Sequence, residues 1–306
     1  MGPDWIDEAR AKLLQLRRGA GAWGYRANTS PAVEPSALAG LALMATEPAP
    51  DGPGRRLARE TGRWLASIRR PDGSTGVSTL LAEPGWTTPY SVLLWAATGG
   101  FDADRASACR WLLATEGLAV PKIKDDPMGH DGMLVGWPWV EGTHSWVEPT
   151  SLALLALRRE GHAGHRRAIE GGRVLLDRAI PGGGWNAGNT VVFGTALRPL
   201  PGPSGLALLG LWGADDPSGV IRAGIVWLAD ALAGTMAPVS IGWGSLGLRA
   251  WGATPSWLPE RIEASARKVL SRAPDAVELA LLLLAAGERS LAVLGISPGR
   301  EVASDA

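Results

Sequence analysis

The chain has 306 residues with 30 Lys plus Arg against 30 Asp plus Glu, so no basic excess steers it toward nucleic acid. A single cysteine, Cys109, excludes an internal disulfide framework, and the longest apolar stretch near the end, Leu279 to Ala286, is far short of a membrane span. The start, Met1-Gly2-Pro3-Asp4-Trp5, has neither the basic region nor the apolar core of a secretory signal, so the expected location is the cytoplasm, with peripheral membrane contact left open.

Taken in chain order, the sequence repeats one pattern about five times. A charged helical run leads to a Gly/Trp turn and then to an apolar run opened by proline. Unit one has a helix capped by Asp4 with Ile6, Ala9, Leu13 and Leu14 on one face, a stop at Gly19 to Gly21, the turn Trp23-Gly24-Tyr25, and a second helix from Pro35 to Leu43. Unit two places Leu57, Thr61, Trp64, Leu65 and Ile68 at helical spacing, turns at Pro71-Asp72-Gly73, and resumes as a helix from Pro89 to Ala97. Unit three runs from Asp102 or Asp104 to Thr115, then carries a long insertion, 117–142, before a helix from Pro149 to Arg159. A connection that long without structure is uncommon in a compact array and is often functional. Unit four spans Arg166 to Ile180, the turn Gly182-Gly183-Gly184-Trp185-Asn186, and a helix from Pro203 to Trp212. Unit five spans Ser218 to Leu232, a turn at Gly242-Trp243-Gly244, and an apolar run from Leu246 to Trp251. Pro259 to Ser271 and Asp275 to Ala286 form a terminal pair, and 298–306 reads as a frayed tail.

The prolines at 35, 89, 149 and 203 lie 54, 60 and 54 residues apart, a period that marks an array of helical hairpins. First helices carry charge on one side, as in Arg55, Arg56, Arg59 and Arg63, whereas second helices are apolar nearly all round, as in Ala153-Leu154-Leu155-Ala156-Leu157. A helix with no polar face is buried. The expected fold is therefore all-α: an alpha/alpha toroid of five to six hairpins in one domain, 1–297, with an inner apolar ring, an outer charged ring and a hollow middle.

The Gly-Gly-Gly-Trp-Asn turn at Gly182 to Asn186 and the Pro-Thr-Ser-Ala-Leu type of inner-helix start resemble the repeat family of squalene and terpene cyclases and protein prenyltransferase beta subunits. The resemblance covers almost the whole chain. It implies a toroid whose inner ring encloses an apolar, aromatic pocket for an isoprenoid chain. The family's catalytic motifs differ here. The Asp-x-Asp-Asp proton donor of class II cyclases is represented only by Lys124-Asp125-Asp126-Pro127, and the zinc ligands of prenyltransferases find only Cys109, on an outer helix. That cysteine reads as a small buried hydrophobe.

Candidate site residues follow from position and chemistry. Glu34 and Glu148 each precede the first turn of an apolar inner helix, where a carboxylate serves as a cap or, aimed into the ring, as an acid, base or orienting group. The places they hold in units one and three are assigned to Thr88 and Gly202 in units two and four. His144, four residues before Glu148, is placed to shuttle a proton. Asp126, with Asp125, His130 and Asp131, would suit a magnesium ion, and no other cofactor is implied. His162 and His165 read as an exposed connection. Trp86, Trp95, Trp137, Trp139, Trp146 and Tyr25 are the expected walls of an apolar ligand site. The expected function is the binding or transformation of an isoprenoid or similar molecule. The alternatives are a noncatalytic interaction scaffold and a carbohydrate-active toroid using Glu34 and Glu148 as its carboxylate pair.

Overall fold

A computed structural model describes residues 4–297 apart from 20, 48, 50, 51 and 125–127. Among these, six helical hairpins close into a double ring. The outer helices are α1 (Asp4–Gln15), α3 (Pro53–Ser67), α5 (Asp102–Ala114), α7 (Arg166–Asp177), α9 (Val220–Ala233) and α11 (Leu258–Leu270). The inner helices are α2 (Val33–Ala45), α4 (Thr88–Thr98), α6 (Val147–Arg159), α8 (Pro201–Gly210), α10 (Pro238–Ala250) and α12 (Ala276–Ala286). Each inner helix packs on the next, and α12 packs back on α2. Two short hairpins, β1 (Arg17–Arg18) with β2 (Ala22–Trp23) and β3 (Val191–Val192) with β4 (Thr195–Ala196), lie in the connections. The Asp126 site and the tail from 298 lie outside the described residues.

The division of labour between the rings follows from sequence period. On α3, Ala58, Thr61, Gly62 and Leu65 are buried, while Arg56, Arg59 and Arg63 face water. On α2 every residue except Glu34 is buried, because the helix meets neighbours on all sides. Sealing extends along the ring axis. Leu38, Leu41, Leu93, Leu152, Leu155, Leu206, Leu209, Leu246, Leu279 and Leu283 are at most 2% exposed. Below the first turns, the middle is therefore filled by inner-helix side chains. This corrects the expected hollow: the leucines are too large and too many for six helices to hold apart.

The fifth unit also departs from expectation. Gly242-Trp243-Gly244 is not a turn; it lies inside α10. Its glycines serve close packing. A Cβ on Gly205 of α8 would fall 2.3 Å from the Trp243 carbonyl oxygen, and one on Gly247 would fall 2.7 Å from the Gly205 carbonyl oxygen. The two backbones approach more closely than any side chain would allow.

The two ends of the ring differ. At the C-terminal ends of the inner helices, arginines satisfy last-turn carbonyls: Arg159 donates to Ala96 (3.4 Å), and Arg249 donates to Ala285 (2.7 Å). A short helix, α13 (Ser290–Leu294), lies there against α2, α4, α10 and α12. The opposite end is formed by helix N-termini and the Gly/Trp turns, and it is where polar side chains converge.

Candidate functional site

A repeated latch sets which residues face this mouth. The Ser36 hydroxyl accepts from the Trp23 amide (2.8 Å), the Thr88 hydroxyl from Thr75 (3.0 Å), the Thr150 hydroxyl from Trp137 (3.0 Å) and the Ser204 hydroxyl from Trp185 (2.8 Å). In three units the indole also donates to a carbonyl near the end of the outer helix: Trp23 to Leu13 (2.7 Å), Trp137 to Leu112 (2.8 Å) and Trp185 to Leu175 (2.6 Å). A second bond joins neighbouring units. The first amides of α2, α6 and α12 donate to the carbonyls of Val77 (2.9 Å), Ala187 (2.9 Å) and Tyr25 (2.7 Å). The last of these ties unit six to unit one and closes the ring.

The latch fixes a register that the prolines misstate. Two residues before each latch hydroxyl stand Glu34, Trp86, Glu148 and Gly202. The counterpart of Glu34 in unit two is therefore Trp86, not Thr88, which is itself a latch. Two residues after each latched amide stand Tyr25, Val77, Trp139 and Ala187. Tyr90, two residues beyond Thr88, falls level with Leu38 and Leu152, one turn deeper in the ring.

Glu34 is the centre of the group. Tyr25 donates to its Oε2 at 2.7 Å, and Tyr90 donates to its Oε1 at 3.2 Å. Tyr90 is only 2% exposed. Among the described residues no cation pairs with Glu34. Burial raises its carboxyl above the ordinary glutamate range; the two tyrosine bonds pull the other way and do not cancel it, and Asp275 adds to the rise. Burial also raises Glu148, and the charge of Glu34 raises it further. Asp275, the cap of α12, is raised mainly by burial, although Arg26 lies 3.8 Å away. Both phenols are pushed upward, first by burial and then by the Glu34 charge, so they stay neutral donors. Three carboxyl groups thus share one poorly hydrated mouth, an arrangement that favours holding protons there.

An aromatic row leads into this group. Trp139 meets Trp86 edge to face at 4.7 Å between centroids, and Trp86 meets Tyr90 at 6.2 Å. Both tryptophans are half-buried. Glu34, Glu148, Tyr25, Trp86 and Trp139 are accordingly brought to one end of the ring. Trp146, half-buried, stands next to them at the start of α6, its amide bonded to the Trp137 carbonyl (3.0 Å). Two other expected wall residues are not there. Trp95 is fully buried between rings, with its indole donating to Gly62 (2.9 Å) and its face stacked on Phe101. Trp137 is buried beneath the Arg167 guanidinium, 4.6 Å from its ring. Trp137 is a packing piece of the latch layer, and Trp95 packs deeper, between α4 and α3.

His144 is half-buried and makes no hydrogen bond or ion pair to Glu148. Asp131 accepts from the Met133 amide (2.9 Å) and so shapes its own loop. Among the described residues, no group of three His, Cys, Asp or Glu side chains is gathered closely enough to hold a metal ion. His165 caps α7, accepting from the Arg167 amide (3.2 Å). Cys109 is buried, and burial pushes its thiol up to about 12. No described helix is long and apolar enough to cross a membrane. Sequence reasoning missed Tyr90 and Asp275. The available signal for Tyr90 was composition: the chain has two tyrosines, and both bond to Glu34.

No protein-family model matches the chain, and no curated protein matches it. Solved structures do. A variant of the type II terpene cyclase MstE from Scytonema, in complex with its substrate geranylgeranyl dihydroxybenzoate, superposes with a TM-score of 0.60 at 13% identity, over 96% of this chain and 97% of that one. A protein from Actinoplanes gives 0.58 at 18% identity, over 88% and 79%. Native alpha-2-macroglobulin from Escherichia coli gives 0.54 at 14% identity, over 94% of this chain but 42% of that one. At these identities the likeness is one of fold. The chain has a terpene-cyclase-like helical toroid.

Proposed function

We propose that the mouth of the ring binds an isoprenoid-class apolar molecule and transfers a proton to it from Glu34. The observation that carries this reading is a carboxyl held between two tyrosine hydroxyls at the end of an aromatic row, without a cation and with its proton affinity raised. The shorter Tyr25 bond marks Oε2 as the acceptor, leaving Oε1 to carry the acid proton. That proton adds to one alkene carbon, the π pair becomes the new C–H bond, and the adjacent carbon becomes cationic. The faces of Trp86 and Trp139 stabilise such a cation. Loss of a proton from a neighbouring carbon back to the Glu34 carboxylate restores an alkene and resets the acid, so the sequence balances without a co-reactant. The isoprenoid class is supported by the structural neighbour that binds geranylgeranyl dihydroxybenzoate on the same fold.

Incubation with geranylgeraniol, followed by extraction and gas chromatography with mass detection, tests the reading. Rearranged or cyclised isomers of unchanged mass are expected from the native chain. Glu34→Gln should bind the alcohol and form none, and Trp86→Ala should bind it more weakly. Product formation by Glu34→Gln would remove the proposed acid. A second reading, a noncatalytic interaction scaffold, is favoured by the sealed axis, since a ring built for support needs no interior space. Under it, the native chain binds no geranylgeraniol.

A further inference from the structure

Away from the mouth, a cavity of about 560 Å³ opens on the outer wall, between the C-terminal half of α6, the α7 face and the segment after α8. Its walls include Leu154, Ile169 and Trp212; its charged members are Arg158, Arg173 and Asp215. We propose that this groove binds a monoanionic amphiphile, with the acid group on Arg158 and the hydrocarbon body along α7.

Three observations point to an anion with an apolar body. The first is Arg158. It is half-buried, and burial alone lowers its guanidinium to about 10. Other withdrawn arginines are compensated: Arg167 pairs with Glu170 at 2.9 Å, Arg178 with Asp177 at 3.6 Å, and Arg249 donates to Ala285, Gly287 and Ser290. Arg158 has one carbonyl, Gly210 at 3.2 Å, and the Trp212 ring at 5.8 Å. No carboxylate lies within 4 Å of it among the described residues, Asp215 included, which faces water. One N–H of its guanidinium meets a protein acceptor, and the others open to the groove, where an anion can take the place of water.

Trp212 supplies the second observation. Its indole N–H is shielded from water and has no acceptor. A buried donor without a partner is costly, so the Trp212 ring gains by turning its N–H toward an acid oxygen in the groove.

The third is Gly172. It lies inside α7, where glycine is a poorer helix former than alanine. No atom lies within 4 Å of where its Cβ would stand, so packing does not demand glycine. What the missing side chain leaves is space in the groove. The volume matches a small-molecule site, typically about 300–1,000 Å³.

Calorimetric titration with sodium decanoate below its micellar concentration, with decan-1-ol as the uncharged control, tests the proposal. Saturable one-to-one binding of decanoate is expected. Arg158→Met, which keeps the aliphatic stem, should weaken decanoate tenfold or more and leave decan-1-ol unchanged. Gly172→Leu, a better helix former that fills the groove, should abolish decanoate binding with no loss of helix content by circular dichroism. Glu34→Gln should leave decanoate binding intact, which separates this groove from the mouth. Absence of saturable binding would overturn the proposal. So would binding that survives Gly172→Leu, or an equal effect of Arg158→Met on acid and alcohol.

Discussion

Removing one latch hydroxyl measures how firmly the turns are held in register over the inner helices. Ser204→Ala is the cleanest case. Its Oγ accepts from the Trp185 amide at 2.8 Å and lies 2.8 Å from the Leu200 carbonyl, and both Ser204 and Trp185 are 0% exposed. Truncation leaves a buried amide without a partner, which costs about 1–3 kcal/mol. For a chain of this size that corresponds to a fall in melting temperature of about 2–6 °C. Ser245 is the internal control: equally buried, also on an inner helix, but with no hydrogen-bond partner for its hydroxyl. Ser245→Ala removes an unpartnered buried hydroxyl and should therefore cost nothing, gaining up to about 1–3 kcal/mol. Urea denaturation followed by tryptophan fluorescence and far-ultraviolet circular dichroism reads both variants. Equal losses at Ser204 and Ser245 would show that the hydroxyl bond does not set the turn, and the register argument for Glu34, Trp86 and Glu148 would fall with it.

Other perturbations separate mouth from frame. Because the folded Glu34 carboxyl is raised, the native state keeps a proton that the unfolded chain releases first. Stability from this group is present below the unfolded value, about 4.3, and is lost as pH rises through the folded value. Denaturation across that range should find Glu34→Gln less pH-dependent than the native chain, with its relative stability increasing as pH rises; a parallel pair of profiles would refute this. Gly205→Ala should cost about 3 kcal/mol or more, since its Cβ would overlap the Trp243 carbonyl, whereas Gly172→Ala should gain up to about 1 kcal/mol. A Gly205→Ala melting temperature at or above that of the native chain would contradict the close α8–α10 contact.

The rings were legible because period and polarity agree. The α3 arginines occupy one side of a helix, and the α2 and α6 runs carry no polar side below their first glutamates, so burial on all faces was forced. Closure was less visible, since it depends on the Ala276 amide reaching the Tyr25 carbonyl across the whole chain. The mouth was partly legible: Glu34 and Glu148 share a local motif, and Tyr25 follows a Gly/Trp turn. Trp86 was set out of register because Pro89 looks like Pro35, yet the conserved geometry belongs to the hydroxyls of Ser36 and Thr88. Tryptophan identity also misled. Trp95 and Trp139 have the same chemistry, and only the carbonyl that each indole can or cannot reach assigns Trp95 to the frame. Gly242 to Gly244 read as a turn by composition, whereas Leu281 of α12 and Leu232 of α9, which stand where side chains at 242 and 244 would go, make small residues a packing need.

Site-resolved carbon-13 titration of the Glu34 carboxyl addresses the proposed acid most directly. Its midpoint should lie above the ordinary glutamate value, rise further in Tyr25→Phe, and fall when Asp275 is replaced by Asn. A midpoint at or below the ordinary value, unmoved by either substitution, would mean that the mouth holds a plain structural carboxylate.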